Sequence, residues 1–345
     1  MSTSEPSIPL PQLPRGYTAR PVTLDDAEAA ADLENAQHSA LTGKPSIEAG
    51  EIRSEWGQPT MNLATNTLAV FDPAGAMAGL VELWDSEPHV HDFVFAAVHP
   101  LRQGLGIGTA LAGWVERRGR QLVSLAPEDT RVILRQFKLS DDAAAARLLR
   151  QRGYALARHN LRMTIDFNGP LPPPTLPDGL IIRPFIRGQE DRALIMAVRE
   201  EFRDHWGYVE SPFEQEYAEW QHWMDTGPTC DPSLFFVAMD GAEVAGTALG
   251  QAKWPEDPDA GWITALGVRR PWRRRGLALA LLQYSFVALH GRGKRRACLG
   301  VDAESLTGAT RLYEKAGMRM ERRYDFYELE LRAGKDLSTQ KVAQP

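Results

Sequence analysis

Cysteine is scarce in this chain: Cys230 and Cys298 are the only two in 345 residues. Two thiols far apart give neither a disulfide framework nor a metal-ligand set, so the expected setting is a reducing, cytoplasmic one. No apolar run approaches the roughly 20 residues of a membrane-spanning helix. The polar, proline-rich start lacks the basic-then-apolar pattern of a secretory signal. Positive charge is not in excess either. A net charge of −6 and a pI of about 5.8 exclude a protein that holds nucleic acid by overall charge. His89 and His91 alternate without companion ligands, so no metal site is expected. The expectation is a soluble protein, monomer or homodimer, with no membrane and no nucleic-acid partner.

What the chain does have is a second copy of itself. Gly16 to Arg20-Pro21 returns as Gly179 to Arg183-Pro184, and an expected glycine turn after an apolar run returns as Gly79 and Gly246. The loop from Gln103 through Gly104 and Gly106 to Gly108 returns as Arg273, Arg274, Arg275, Gly276 and Ala278. The helix-like RLLRQRGY (147–154) returns as RLYEKAGM (311–318). Four matches in order at offsets of 163 to 170 residues indicate two copies of one globular domain. Each copy is long enough for its own core. The expected layout is a disordered leader (1–15), an N-terminal domain (16–168), a proline-rich linker (169–178), a C-terminal domain (179–333) and a frayed tail (334–345).

Each copy reads as strand, one or two helices, three strands, helix, strand, helix, strand. In the second copy Asp240-Gly241 is a hairpin signal between two apolar runs. Gly276–His290 reads as a strongly apolar helix, and Tyr324–Leu329 as an alternating final strand. The class is mixed α/β, a central sheet covered by helices on both faces.

The most specific motif is the loop after Val268. Small residues there let backbone N–H groups converge at a helix N-terminus, whose partial positive charge and free donors suit a diphosphate. No Lys-Ser/Thr follows the glycines, as a Walker loop requires, and the mid-domain position does not fit a dinucleotide fingerprint. The arginines around it read either as diphosphate ligands or as a solvated basic patch.

The repeated Val, loop and Gly-x-Gly/Ala, followed by a late strand and a helix carrying Leu312-Tyr313 and Gly317, resemble the GNAT N-acetyltransferase superfamily over nearly the whole chain. The tandem layout is similar to that of the mycothiol synthases. The resemblance implies a mostly antiparallel sheet in each domain with a splayed parallel strand pair, and acetyl-CoA held in the opening. The diphosphate would sit on Arg273, Arg274, Arg275, Gly276 and Ala278 in the second copy. In the first it would sit on Gln103, Gly104, Gly106 and Gly108. Val98 and Val268 would pair with the pantetheine arm, Leu266 would supply the oxyanion N–H, and Ser305 stands where many members have asparagine.

Acetyl transfer to an amine needs a deprotonated nitrogen, an oxyanion donor and a proton for the leaving thiolate. Tyr313 matches the family's proton donor. The first copy has Leu149 there and is expected to be non-catalytic, although its Glu82 is a possible base where the second copy has Leu249. Glu304, Glu256, Asp257, Asp259 and His205 are the candidate bases in the second copy, and the aromatic stretch from Phe202 to Trp223 is either an acceptor wall or helix packing. The expected activity is direct transfer of acetyl from acetyl-CoA to a small primary amine in the C-terminal domain. The rivals are a non-catalytic acyl-CoA-binding regulator and a transferase for another acyl-CoA.

Overall fold

The structure is a computed structural model describing residues 8–341; the ends of the expected leader (1–7) and tail (342–345) lie outside the described residues. Two compact units emerge, one formed by Met1–Ala157 with Asp325–Leu337, the other by Arg158–Tyr324 with Ser338–Pro345. The first begins with β1 (Thr18–Arg20), α1 (Ala27–Thr42), α2 (Ala49–Trp56) and the short α3 (Leu63–Asn66). Strands β2 (Thr67–Phe71), β3 (Met77–Trp84) and β4 (His91–Val98) follow, then α4 (Ile107–Leu122), β5 (Val132–Leu139) and α5 (Ala143–Gln151). The chain enters the second unit through β6 (Ala155–Asp166), followed by β7 (Leu180–Pro184), α6 (Asp191–Phe202), α7 (Phe213–Thr226), β8 (Phe235–Asp240) and β9 (Glu243–Gln251). It ends with β10 (Ala260–Val268), α8 (Leu277–Gly291), β11 (Arg296–Asp302), α9 (Ala309–Lys315) and β12 (Arg319–Arg332). The element order is the one read from the sequence, except that the first copy has a third, one-turn helix, α3, before its three strands.

The first unit's strand order is β1-β2-β3-β4-β5-β12, and the second's is β6-β11-β10-β9-β8-β7. The compact units therefore differ from the repeat boundaries at 168 and 179. The last strand of each sequence copy, β6 or β12, completes the sheet of the other unit. Arg162, Met163 and Thr164 of β6 pair antiparallel with Gly300, Leu299 and Cys298 of β11. Asp325–Leu337 belongs to the first unit, where Tyr327 is buried in the core beside Leu134 and Trp114. The proline-rich segment carries no helix or strand between Asp166 and Leu180 and lies inside the second unit.

Each unit holds one parallel pair, whereas β1 to β4, β7 to β10, and β6 with β11 pair antiparallel. β10 pairs with β11 only from Ala260 to Ile263, and β4 with β5 only from His91 to Val94. Beyond Ile263 and Val94 the parallel partners part, so Leu266–Val268 and Phe95–Val98 keep a hydrogen-bonded neighbour on one side. In the second unit the apolar face of α6 (Leu194, Ile195, Val198) covers one side of the sheet and α8 (Leu281, Leu282, Phe286) the other.

Three local expectations change. Gly79 and Gly246 lie within β3 and β9, not in turns. A Cβ on Gly79 would come 2.8 Å from Ile107, and one on Gly246 would come 2.8 Å from the Gly267 carbonyl and 3.0 Å from Leu281. The glycines recur because a helix crosses the strand at close range. Of the leader, Ile8 and Leu13 pack on the first core, so residues 8–15 are not a free arm. The tail is not frayed as far as it is described: Lys335 exchanges backbone bonds with Asp129 and Arg131, and Thr339 with Gly207 and Tyr208. Among the described residues no helix is long and apolar enough to cross a membrane.

Candidate active site

In the second unit the gap left by the splay of β10 is a cleft of about 490 Å³. Leu266, Gly267 and Val268 form one wall, the loop from Arg273 to Ala278 forms the rim, and Tyr313 of α9 lies across. Gly276 caps α8 in the left-handed region at φ 88°, where a side chain would be strained, and a Cβ there would point into open space. Arg274 shares that region at φ 64°. Two consecutive turns of this kind bring the first amides of α8, which have no acceptor within the helix, to the mouth of the cleft. Such a rim fits a diphosphate.

The arginines divide by role. Arg269 bonds Glu200 and the Val244 carbonyl, and Arg270 and Arg273 both clasp Asp204. These two guanidinium groups hold the Asp204 carboxyl well below the usual range, at about 2. Arg273 also donates to the Val268 carbonyl at 2.8 Å, so it braces the loop against the end of β10. Arg274 and Arg275 are exposed. The basic patch is thus largely an ion-paired frame, with Arg274 left at the rim and Arg275 exposed beside it, outside the cleft lining.

Tyr313 is 6% exposed, and burial pushes its phenol up to about 12. It therefore stays protonated at neutral pH, as a proton donor must. His205 also lines the cleft, its ring tilted against Phe202 at 4.4 Å between centroids, and burial together with the Arg273 charge lowers its pKa. Ser305 accepts from the Ala309 N–H at 3.2 Å and so serves the start of α9.

The other expected bases are spent elsewhere. Glu304 is exposed and bonds Arg158 at 2.9 Å; it does not line the cleft. Glu256 is buried between Arg162 and Arg322, each at 2.7 Å, and Asp257 pairs with Arg296 at 3.1 Å. Asp259 is exposed and does not line the cleft. The aromatic stretch is mostly packing: Trp223 stacks on Phe235 at 5.7 Å, with Phe213, Tyr217 and Trp220 against the same core.

One residue escaped the sequence reading. Glu201, at the end of α6, is buried against Gly267 and lines the cleft. Its Oε2 accepts from the Thr247 hydroxyl at 2.6 Å, whereas Oε1 has no hydrogen-bond partner. Burial raises its pKa to about 8, against the pull of Thr247, Arg269 and Arg273. The helical spacing Leu194, Val198, Glu201 placed it on the buried face of α6, and that was the available signal.

The first unit holds a corresponding cleft of about 380 Å³. Val98, Gln103, Gly104, Gly106 and Gly108 all line it, and Gly106 caps α4 at φ 84°. Leu149 occupies the place of Tyr313 on the helix wall. Glu82 is buried and bonded to the indole N–H groups of Trp56 and Trp84 at 2.7 and 3.0 Å.

The acetyltransferase (GNAT) family model matches residues 195–318, the stretch with Glu201, the loop and Tyr313. Mycothiol acetyltransferase of Thermobispora bispora is 31% identical over 86% of this chain and 93% of its own length. The protein of the same name from Streptomyces coelicolor is 26% identical over 87% and 94%. A solved GCN5-related N-acetyltransferase from Sphaerobacter thermophilus superposes with a TM-score of 0.76 at 36% identity, covering 95% of this chain and all of that one. A tandem GNAT protein from the clavulanic acid biosynthesis pathway shares the fold, with a TM-score of 0.66 at 15% identity over 92% of this chain and all of its own. A glycine-capped helix at a splayed strand pair, duplicated along a chain that matches such relatives end to end, leaves one assignment: this chain belongs to the GNAT family and is an N-acetyltransferase.

Proposed function

We propose that the enzyme takes acetyl-CoA as its acyl donor and acetylates the primary amine of a small molecule in its second unit. The acceptor is an amino-sugar conjugate, amino acid or antibiotic, and the relatives named mycothiol acetyltransferase favour a substrate on the way to mycothiol. The observation that carries the reading is the pairing of Tyr313 with the Gly276 loop in one cleft, while the matching cleft has Leu149. Acetyl-CoA supplies an activated thioester. The rim formed by Arg274, Arg275, Gly276 and Ala278 would hold its diphosphate, and Ser305 keeps α9 in place below. Val268 and Leu266, freed of a strand partner on one side, offer backbone groups to the pantetheine arm and to the thioester oxygen. Tyr313 gives its proton to the departing sulfur: a free thiol titrates near 8.5, so a thiolate readily takes it. Neither cysteine supports an acyl-enzyme, since burial pushes Cys298 up to about 11 and Cys230 up to about 12.

The test is thiol release from acetyl-CoA with a panel of small amines. Tyr313→Phe is expected to lower kcat by about 10²-fold or more, and Gly106→Glu, which blocks the first cleft, to leave turnover near wild type. The opposite pattern would place catalysis in the first unit. Competition among acyl-CoAs of increasing chain length fixes the donor.

A further inference from the structure

Glu201 is a buried carboxyl on the wall of this cleft with no part in the steps above. It sits where α6 meets the splayed end of β10. A Cβ on Gly267 would lie 2.3 Å from its Oε2, so the glycine exists there to admit the carboxyl. One oxygen is fixed by Thr247, and the other is buried, without a hydrogen-bond partner, on the wall of the cleft that also holds Tyr313.

The repeat supplies a control inside the same chain. The buried residues Ala27, Ala30, Ala31 and Leu33 of α1 recur in α6 as Asp191, Leu194, Ile195 and Ala197, and the same offset relates Leu149 to Tyr313. At that offset the counterpart of Glu201 is Gln37, which lines the cleft of the first unit. The first unit thus carries Gln37 and Leu149 where the second carries Glu201 and Tyr313. Glutamine keeps the shape of glutamate and one acceptor oxygen, but its other terminal atom is an NH2 donor and it cannot take a proton. Both titratable members are absent from one cleft and present together in the other.

We propose that Glu201 is the general base of the second unit, taking the proton from the acceptor nitrogen as it attacks. This rests on the reading that the second unit is the catalytic one. The nitrogen of the neutral amine bonds to the thioester carbonyl carbon, and an N–H proton passes to Glu201 Oε1. The carbon–sulfur bond breaks, and the thiolate takes the Tyr313 proton. The Glu201 carboxyl and the Tyr313 phenolate then exchange back with water, so amine and thioester become amide and thiol. Sitting near 8, the Glu201 carboxyl is basic enough to take a proton from the attacking amine, and because only its ionised fraction can do so, turnover should climb as pH rises through that value. The groups acting on it are Thr247 on β9 and Arg269 and Arg273 after β10, and the other titratable groups lining its cleft are His205 after α6, Arg274 in the loop, and Arg311, Tyr313 and Lys315 on α9.

The experiment is Glu201→Gln, which copies the first unit. Expected are a fall in kcat/KM of about 10²- to 10³-fold, an unchanged melting temperature, and CoA binding by calorimetry within twofold of wild type. The wild-type kcat/KM should rise with pH through an apparent pKa near 8, and that limb should vanish in the variant. Acceptors of low basicity, such as hydrazine or an arylamine, need less help losing the proton and should suffer less. In the unliganded wild-type protein, ¹³C NMR of labelled glutamate should show one carboxyl titrating near 8 that is missing from Glu201→Gln. A Glu201 carboxyl titrating near 4.5, or a loss equal for all amines, would overturn the proposal. If Tyr313→Phe collapses while Glu201→Gln does not, the base assignment alone fails. If neither variant matters, the reading of the second unit fails with it.

Discussion

A single carboxyl of the first unit shows how burial is converted into pH dependence. Glu82 is 3% exposed, and burial raises its pKa from 4.5 to about 7 although two indole N–H groups favour the charged form. Glu34 and Glu55 face it and are themselves shifted upward, mainly by burial and then by the Glu82 charge. A folded-state pKa above the unfolded one means that the folded protein binds more protons between the two values. The contribution to stability is full below pH 4.5 and is lost as pH rises through 7. Over that window Glu82 accounts for about 3 kcal/mol, at about 1.4 kcal/mol per pKa unit. Urea denaturation at pH 5 and pH 8 should show the first transition weakening toward pH 8, with much less weakening in Glu82→Gln. The sequence singled out Glu82 but as a base, because the two tryptophans that close around it lie 26 residues before and two after, and nothing local joins them. Tyr313 was legible because a motif frames it. Glu201 was not, because Glu200 and Glu201 look alike in sequence, and only helix phase sends the first to Arg269 and the second into the cleft.

At the scale of elements, each repeated sequence mark turns out to be a device for setting one element against another. Arg20 clasps Asp26 and the Pro21 carbonyl, and Arg183 clasps Glu190 and the Pro184 carbonyl, so the Arg-Pro pair fixes the entry to the first helix of each copy. Gly79 and Gly246 admit a crossing helix, and Gly106 and Gly276 cap it. Such marks are legible because one residue type serves one geometric need. The strap at the C-terminus carries no such mark. Thr339 bonds the backbones of Arg203, Gly207 and Tyr208 at 2.9 Å each, pinning the turn that follows α6 and carries His205. Ending the chain at Leu337 should leave the core intact but free this turn. Hydrogen exchange should report at least about tenfold faster exchange of the Gly207 amide, whose acceptor is lost. Unchanged exchange would mean that the clasp of Asp204 by Arg270 and Arg273 suffices to hold the segment.

For the whole molecule, the repeat and the folded units do not coincide, and that has a consequence for folding. The sequence places a boundary in the proline-rich segment 169–178, yet each sheet takes its last strand from the far side of it. In the first unit that strand is anchored deeply. Glu328 holds Arg135 at 2.6 Å in the interior, Phe326 lies 4.8 Å from Phe137, and Tyr327 is 1% exposed. In the second unit β6 supplies Arg162, whose guanidinium bonds Glu256 and lies 4.7 Å from the Trp254 ring. Local periodicity could identify both strands but not their partners, because a strand's alternation says which face is buried and nothing about which neighbour it joins. A chain divided between residues 168 and 169 therefore leaves each half with one strand too few and one to spare. Each half expressed alone would expose an open sheet edge and lose a buried ion pair, Arg135 with Glu328 or Arg162 with Glu256, a cost of several kcal/mol against a typical total of about 5–15 kcal/mol. The expected outcome is two halves that aggregate or melt without cooperativity separately and recover cooperative unfolding and acetyl transfer when refolded together. A fragment 169–345 that folds and acetylates by itself would show that the exchanged strand is dispensable and that the repeat boundary is also the folding boundary.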